Sequence, residues 1–285
     1  MKKVKQIIGM LIVVLAVAGI VFVGLNVLIK SPATESSQVA TVSKQKQIKK
    51  TVRLTAIGDS LTYGVGDATS SGGYVPLIKK EMELRDQTNV VTSNYGVSGD
   101  TSVQILKRIN TQKKVRQGLA DADLITMTVG ANDLMHTISN NISDIDLAKV
   151  ITASKTYQKN LTKLIQAIRT ENPDAPIVIA SIYDPFYVYF PKLKALQQGM
   201  DHWNQTTQTV IKNFKQTYYV DIDSVMTDPK GSVLATSQTS TKTSASNPFL
   251  YTEDHFHPNN RGYQAIANTL IKKIQAIKST WLYEE

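Results

Sequence analysis

The 285-residue chain contains no cysteine. Disulfides are excluded, and so is the lipid-modified cysteine of a lipoprotein. Any attachment to a membrane must come from an apolar segment of the chain itself. Past residue 50 a basic excess is also lacking. Residues 1–50 hold eight lysines and one glutamate, whereas the remainder holds 24 basic and 22 acidic residues. The formal charge of +9 therefore belongs to the N-terminal stretch, and no basic face for nucleic acid is implied. Asp-x-His is missing after the first predicted strand, which argues against a metal-dependent phosphohydrolase.

What is present at the N-terminus is an uncharged apolar run over residues 7–29, broken only by glycines and Asn26 and preceded by Lys2, Lys3 and Lys5. At helical rise it spans roughly 35 Å, enough for the ~30 Å core of a bilayer. The lysines favour a cytoplasmic N-terminus, placing everything after Lys30 outside. The alternative is a cleaved signal peptide, whose apolar region runs about 7–15 residues; Ala16-Val17-Ala18 has the small-x-small form but sits in mid-run. Residues 31–50 are polar and without apolar periodicity, as a flexible stalk is. Lys44, Lys46, Lys49 and Lys50 either touch anionic lipid or wall polymer or are simply solvated. The expected organisation is an anchor or signal segment over 1–30, a stalk over 31–50 and one domain over 51–285.

Within that domain, short β-branched runs at 52–57, 90–95, 124–129, 177–182 and 218–222 alternate with helical patterns at 74–85, 102–118, 147–170, 192–214 and 259–278. The third pattern carries Leu161, Leu164, Ile165 and Ile168 at i, i+3, i+4 and i+7, a core-facing stripe. Five strands separated by helices predict an α/β fold with a parallel sheet covered on both faces. Sites in such sheets form beyond the carboxyl ends of the strands, where strand order reverses.

Four motifs fall there. Gly58-Asp59-Ser60-Leu61-Thr62-Tyr63-Gly64 follows the first strand, with Ser60 opening a turn or short helix and its N–H free to bind an anion. Asn94-Tyr95-Gly96-Val97-Ser98-Gly99-Asp100-Thr101 follows the second. Gly96 can bring its N–H close to a developing oxyanion, and Ser98 or Asp100 can cap the next helix. Gly130-Ala131-Asn132-Asp133 follows the third; Asn132 offers a neutral amide donor, and Asp133 bonds the local backbone rather than reacting. Asp254-His255-Phe256-His257-Pro258 precedes the last helix, with Pro258 at its start. A serine hydroxyl needs an imidazole to take its proton and a carboxylate to orient that imidazole. Asp254 and His257, three apart, can share one side of a turn, whereas His255 is adjacent to Asp254 and tends to point away. His136 and His202 read as ordinary polar residues.

In this order the motifs resemble the SGNH hydrolases, also called GDSL-type esterases and lipases, over roughly residues 54–278. The Gly-Asp-Ser-Leu-Thr-x-Gly run is most similar to their bacterial lysophospholipase and thioesterase-like branch. Ser60, Gly96, Asn132 and His257 match the four residues for which the family is named. The resemblance implies a flavodoxin-like three-layer α/β/α sandwich. It also implies a serine esterase: Ser60, His257 and Asp254 catalytic, the Ser60 and Gly96 N–H groups with the Asn132 amide as oxyanion hole, and no metal or organic cofactor.

Expected partners are an ester substrate and, through the N-terminal helix, the membrane, with no nucleic acid. Lipid or lysolipid acyl esters lead, and O-acetylated wall polysaccharide is the rival; a silent binding domain fits the complete residue set poorly. The aromatic run at 183–190 either lines an acyl pocket or packs a loop. The Ser/Thr-rich stretch at 227–250 reads as a solvated connector or a mobile cover.

Overall fold

The five β-branched runs pair into one all-parallel sheet in the computed structural model, which describes residues 9, 14–23, 25, 46–138, 145–190, 192–227 and 247–284. They are β1 (Thr51–Gly58), β2 (Asn89–Gly96), β3 (Leu124–Thr128), β4 (Ile177–Ala180) and β5 (Thr217–Val220). The described helices of this unit are α1 (Ser60–Tyr63), α2 (Tyr74–Asp86), α3 (Ser102–Thr111), α4 (Lys113–Ala120), α5 (Ala131–Ile138), α6 (Leu147–Glu171), α7 (Lys194–Ile211), α8 (Asp223–Met226) and α9 (Asn260–Ala276). Strand order is β2-β1-β3-β4-β5. The chain steps outward from β1 to β2, then returns over β1 to β3. With right-handed crossovers, that reversal puts the connecting helices on opposite faces of the sheet.

The core records the two faces. Val52, Leu54 and Ala56 of β1 pack with Tyr74, Ile78 and Met82 of α2 and with Ile266, Leu270 and Ile274 of α9. Ile57, Ile125, Met127, Ile177 and Ile179 point the other way, onto α3, α4, α6 and α7. The result is the three-layer α/β/α sandwich that the resemblance implies. Leu161, Leu164, Ile165 and Ile168 are all fully buried, and each such side chain contributes about 1.5–3 kcal/mol. The reversal of strand order lies between β1 and β3, so the loops after β1, β2 and β3 converge on one crevice.

Three departures from the sequence reading have identifiable physical causes. The helix expected over 102–118 is two helices, broken where Gln112 adopts extended backbone (φ −106°, ψ 107°). Ile105 and Ile109 set one helical phase and Val115 and Leu119 another; the break lets both pairs face the sheet. α5 is not among the expected helical patterns, and it buries Leu134 and Ile138 one turn apart. The end of the expected stalk belongs to the folded unit, since Ile48 bridges Tyr283 and Lys49 pairs with Asp123 at 2.5 Å.

The chain divides into two compact units, Met1–Gln45 and Lys46–Glu285. Of the anchor expected over 1–30, the described residues 9, 14–23 and 25 are helical, and the rest lies outside the described residues. So do residues 31–45 of the stalk. Among the described residues no helix is long and apolar enough to cross a membrane.

Candidate active site

Ser60 stands at the first position of α1, directly after β1, and is 3% exposed. Asp59 caps that helix: its Oδ1 accepts the Leu61 N–H (3.1 Å) and the Thr128 hydroxyl from β3 (2.7 Å). Burial raises the Asp59 carboxyl above its ordinary pKa, against the pull of those hydrogen bonds. The first N–H of a helix has no intrahelical acceptor, and no described residue accepts that of Ser60.

His257 arrives on a loop that closes on itself. Leu250 bridges Pro258, the Tyr251 N–H donates to the His257 carbonyl (2.7 Å), and the His255 N–H to that of Tyr251 (2.8 Å). Asp254 Oδ1 accepts the Phe256 and His257 N–H groups (2.9 and 3.0 Å), leaving Oδ2 for His257 Nδ1 at 2.6 Å. The other ring nitrogen, Nε2, lies 2.9 Å from Ser60 Oγ. Burial by itself raises the Asp254 carboxyl, but the bonds from the His257 ring and the two backbone N–H groups outweigh it. The carboxyl is held below its ordinary value.

The other histidines are elsewhere. His255, at φ +53°, turns its Nδ1 to the Tyr189 hydroxyl (3.2 Å). His202 Nε2 meets Ser154 Oγ (2.9 Å) between α7 and α6. His136 lies in the last turn of α5. Pro258 does not start the last helix. Asn259 caps it, its Oδ1 accepting the Arg261 and Gly262 N–H groups (2.9 and 3.1 Å) while its amide holds the Pro248 and Leu250 carbonyls.

Gly96 closes β2 opposite Gly58. A Cβ there would sit 2.1 Å from Tyr63 N and 2.5 Å from Thr62 C, so glycine is what lets α1 lie against β2. Asn94 secures the contact: its amide donates to the Thr62 carbonyl (2.7 Å), and its Oδ1 accepts the Gly96 N–H (2.9 Å). The N–H expected to face an oxyanion is thus already engaged. Gly99, three residues on, has φ +84°, open space out to 4 Å around the place a Cβ would take, and no described acceptor for its N–H. Asn132 reaches this same loop, donating one amide hydrogen to the Asp100 carbonyl (2.9 Å).

Several residues hold that loop, and the sequence reading missed them. Arg108 on α3 donates to Asp100 Oδ2 (2.6 Å), the Tyr95 carbonyl (2.8 Å) and the Gly58 carbonyl (3.0 Å). Asp133 was expected to bond its local backbone; its carboxylate instead accepts the Ser102 N–H (2.8 Å) and hydroxyl across to α3. The cap of α3 is Thr101, boxed with Gln104, rather than Ser98 or Asp100. The Thr-x-x-Gln spacing was the available signal for the last of these.

The aromatic run after β4 packs on the histidine loop. The Tyr183 hydroxyl donates to the Phe256 carbonyl (2.6 Å), the Phe186 and Phe256 rings stand 6.0 Å apart, and Phe256 meets His257 edge-on at 5.0 Å. Between Tyr183 and Phe186, burial raises Asp184 to about 6; the Phe186 N–H opposes the rise and the nearby Asp223 charge adds to it. Residues 228–246 of the Ser/Thr-rich stretch lie outside the described residues. Among the described residues no group of three or more His, Asp or Glu side chains is placed to hold a metal ion.

Comparison with known proteins bears on the family and the fold. Residues 56–265 match the model of the GDSL-like Lipase/Acylhydrolase family. The chain is 31% identical over 258 residues to the uncharacterized protein YpmR of Bacillus subtilis, covering 89% of this chain and 93% of that one. Among solved structures, it is similar to the lipase Lip_vut3 from a goat rumen metagenome (TM-score 0.63, 24% identity, 79% of this chain and 96% of that one). It is also similar to a variant of the acetyl xylan esterase Axe2 from Geobacillus stearothermophilus (TM-score 0.56, 14% identity, 84% and 99%). At those identities the two structures speak to the fold alone. With the family model matched across most of the folded unit, the chain belongs to the GDSL-like lipase/acylhydrolase family of carboxylic ester hydrolases.

Proposed function

We propose that this chain hydrolyses carboxylic esters through an acyl-enzyme on Ser60. The observation that carries the reading is the unbroken relay from Ser60 Oγ to His257 Nε2 (2.9 Å) and from His257 Nδ1 to Asp254 Oδ2 (2.6 Å). His257 takes the hydroxyl proton as Oγ bonds to the carbonyl carbon, then returns it to the departing alcohol oxygen as the ester bond breaks. Water, deprotonated by the same imidazole, attacks the acyl-enzyme, releases the acid and restores Ser60. Asp254, ionised well into the acid range, holds the ring orientation and stabilises the imidazolium.

The tetrahedral oxyanion is met by the Ser60 N–H, by the second amide hydrogen of Asn132, and by the Gly99 N–H in place of that of Gly96. Gly96 shapes the site sterically instead. Each such donor is worth about 2.7–4 kcal/mol in the transition state.

Two substrate classes share this chemistry, acyl lipids or lysolipids and O-acetylated polysaccharides. A lipase and an acetyl xylan esterase both share this fold, so the fold does not choose between them. We place the domain outside the membrane behind an N-terminal anchor, on the strength of the three lysines preceding the apolar run. Protease treatment of intact cells, followed by detection of the domain, tests that placement. For the chemistry, a fluorophosphonate probe reacted with the full chain and mapped by peptide mass tests the nucleophile. Labelling at Ser60 that is lost in His257→Ala supports the relay; labelling elsewhere, or none, refutes it.

A further inference from the structure

We infer that the acyl group accepted at this site is acetyl-sized, and that the bulk of the substrate lies on its alcohol side. The inference rests on the serine-hydrolase reading and decides between its two substrate classes. A recess of about 20 Å³ opens between the ends of β3 and β4. Its walls are the chain neighbours of the reacting groups: Asp59 and Leu61 flank Ser60, Ala131 precedes Asn132, and Phe256 precedes His257. A carbon bonded to Ser60 Oγ sends its oxyanion to the N–H donors and its leaving oxygen to His257. The remaining substituent, the acyl chain, is assigned to this recess because Leu61, Ala131 and Phe256, the chain neighbours of Ser60, Asn132 and His257, all line it.

The space admits about one solvent-sized group, since a single water needs roughly 10–15 Å³ of such a cavity. Pockets that hold larger ligands run to roughly 300–1,000 Å³. Two wider grooves among the described residues, of about 490 and 290 Å³, run along β2 and α4 and between α6 and α7, and neither is lined by a residue flanking Ser60, Asn132 or His257.

The walls are fixed rather than adjustable. Ile182 is held at both its N–H and its carbonyl by the buried Asn204 side chain, at 3.0 Å each. Tyr183, 7% exposed, is tied through its hydroxyl to the Phe256 carbonyl. The floor is polar, formed by the buried Asp59 carboxyl and the Thr128 hydroxyl bonded to it. A longer alkyl chain would bury methylenes against a carboxyl that already lacks solvent, so the recess closes to length from below as well as from the side.

The test is the chain-length profile of the full chain on p-nitrophenyl acetate, butyrate and octanoate, below their aggregation concentrations and normalised to alkaline hydrolysis. A pocket too short by a methylene discriminates by about 10–200-fold. The kcat/KM for octanoate is therefore expected at least about 10-fold below that for acetate. Octanoate equal to or better than acetate overturns the inference. Ile182→Ala, which enlarges the recess, is expected to raise the octanoate-to-acetate ratio at least about 10-fold, and an unchanged ratio contradicts the wall assignment. If that variant fails to fold, inhibition of the wild type by methyl-, butyl- and octylboronic acid gives the same order without a substitution; tightest binding by octyl overturns it. Fluorophosphonate labelling of Ser60 with an octanoate preference defeats the acyl-size inference alone. Absence of labelling defeats the underlying reading together with it.

Discussion

Replacing Arg108 by alanine tests whether the loop carrying Gly99 and Asp100 is held in place by one side chain. Arg108 and Asp100 have side chains only 12% and 10% exposed and lie 2.6 Å apart, and the same guanidinium also serves the Gly58 and Tyr95 carbonyls. Arg108→Ala leaves a nearly closed-off carboxylate without its counter-charge, a loss of about 3–5 kcal/mol for a buried pair broken on one side. Water entering the vacated space reduces the cost of the two freed carbonyls, so we take that range as the whole effect. The functional consequence is geometric. The Asp100 carbonyl receives the Asn132 amide, and a displacement of about 1 Å at such a group costs about 10²-fold in rate. Urea unfolding followed by the buried Trp203 and Trp281, with kcat and KM on a short ester, reads both. The fall is expected in kcat with KM little changed, and Arg108→Lys should recover part of it. A cycle with Asp100→Ala should give a coupling of about 1–3 kcal/mol. A stability loss under about 1 kcal/mol with unchanged kcat would refute the reasoning.

Asn132→Ala should lower kcat by about 10²–10³ with stability nearly intact; steady-state kinetics beside thermal unfolding checks it, and an unchanged kcat removes Asn132 from the oxyanion site. Gly96→Ala should be destabilising because backbone atoms of Thr62 and Tyr63 occupy the place of its methyl group. Its unfolding midpoint in urea should drop well beyond the usual ~1 kcal/mol of a point substitution. Asp184, raised to about 6 by burial, takes up a proton on folding, so its contribution makes stability fall as pH rises from its unfolded value of 3.8 through about 6. Asp184→Asn keeps the acceptor for the Phe186 N–H and should stabilise the domain by roughly 1–3 kcal/mol at pH 7–8 while making no difference below both values. Urea titrations at several pH values decide it.

The strands and the order of the motifs were legible because each strand is a short β-branched run ending in a distinctive turn. The relay residues were legible because Asp254 and His257 are local to one turn. Which N–H after β2 is left without an acceptor was not. Gly96 and Gly99 lie three apart in one loop, and only the folded chain shows Asn94 taking the Gly96 N–H. The break at Gln112 was visible in principle, since the apolar positions 105 and 109 are out of helical phase with 115 and 119. Arg108 gave no local signal: its partners come from β1, β2 and the loop between β2 and α3, joined only by the strand order. The size of the recess depends on side chains from the ends of β1, β3 and β4 and from the histidine loop, a dimension no single motif encodes.

The central claim is that Ser60 is the nucleophile, and hydrolysis of p-nitrophenyl acetate by wild type and Ser60→Ala measures it most directly. The account predicts a loss of at least about 10⁴-fold in kcat with the unfolding midpoint unchanged, in keeping with the interdependence of such a relay. Hydrolysis by Ser60→Ala at a rate near that of the wild type would contradict it.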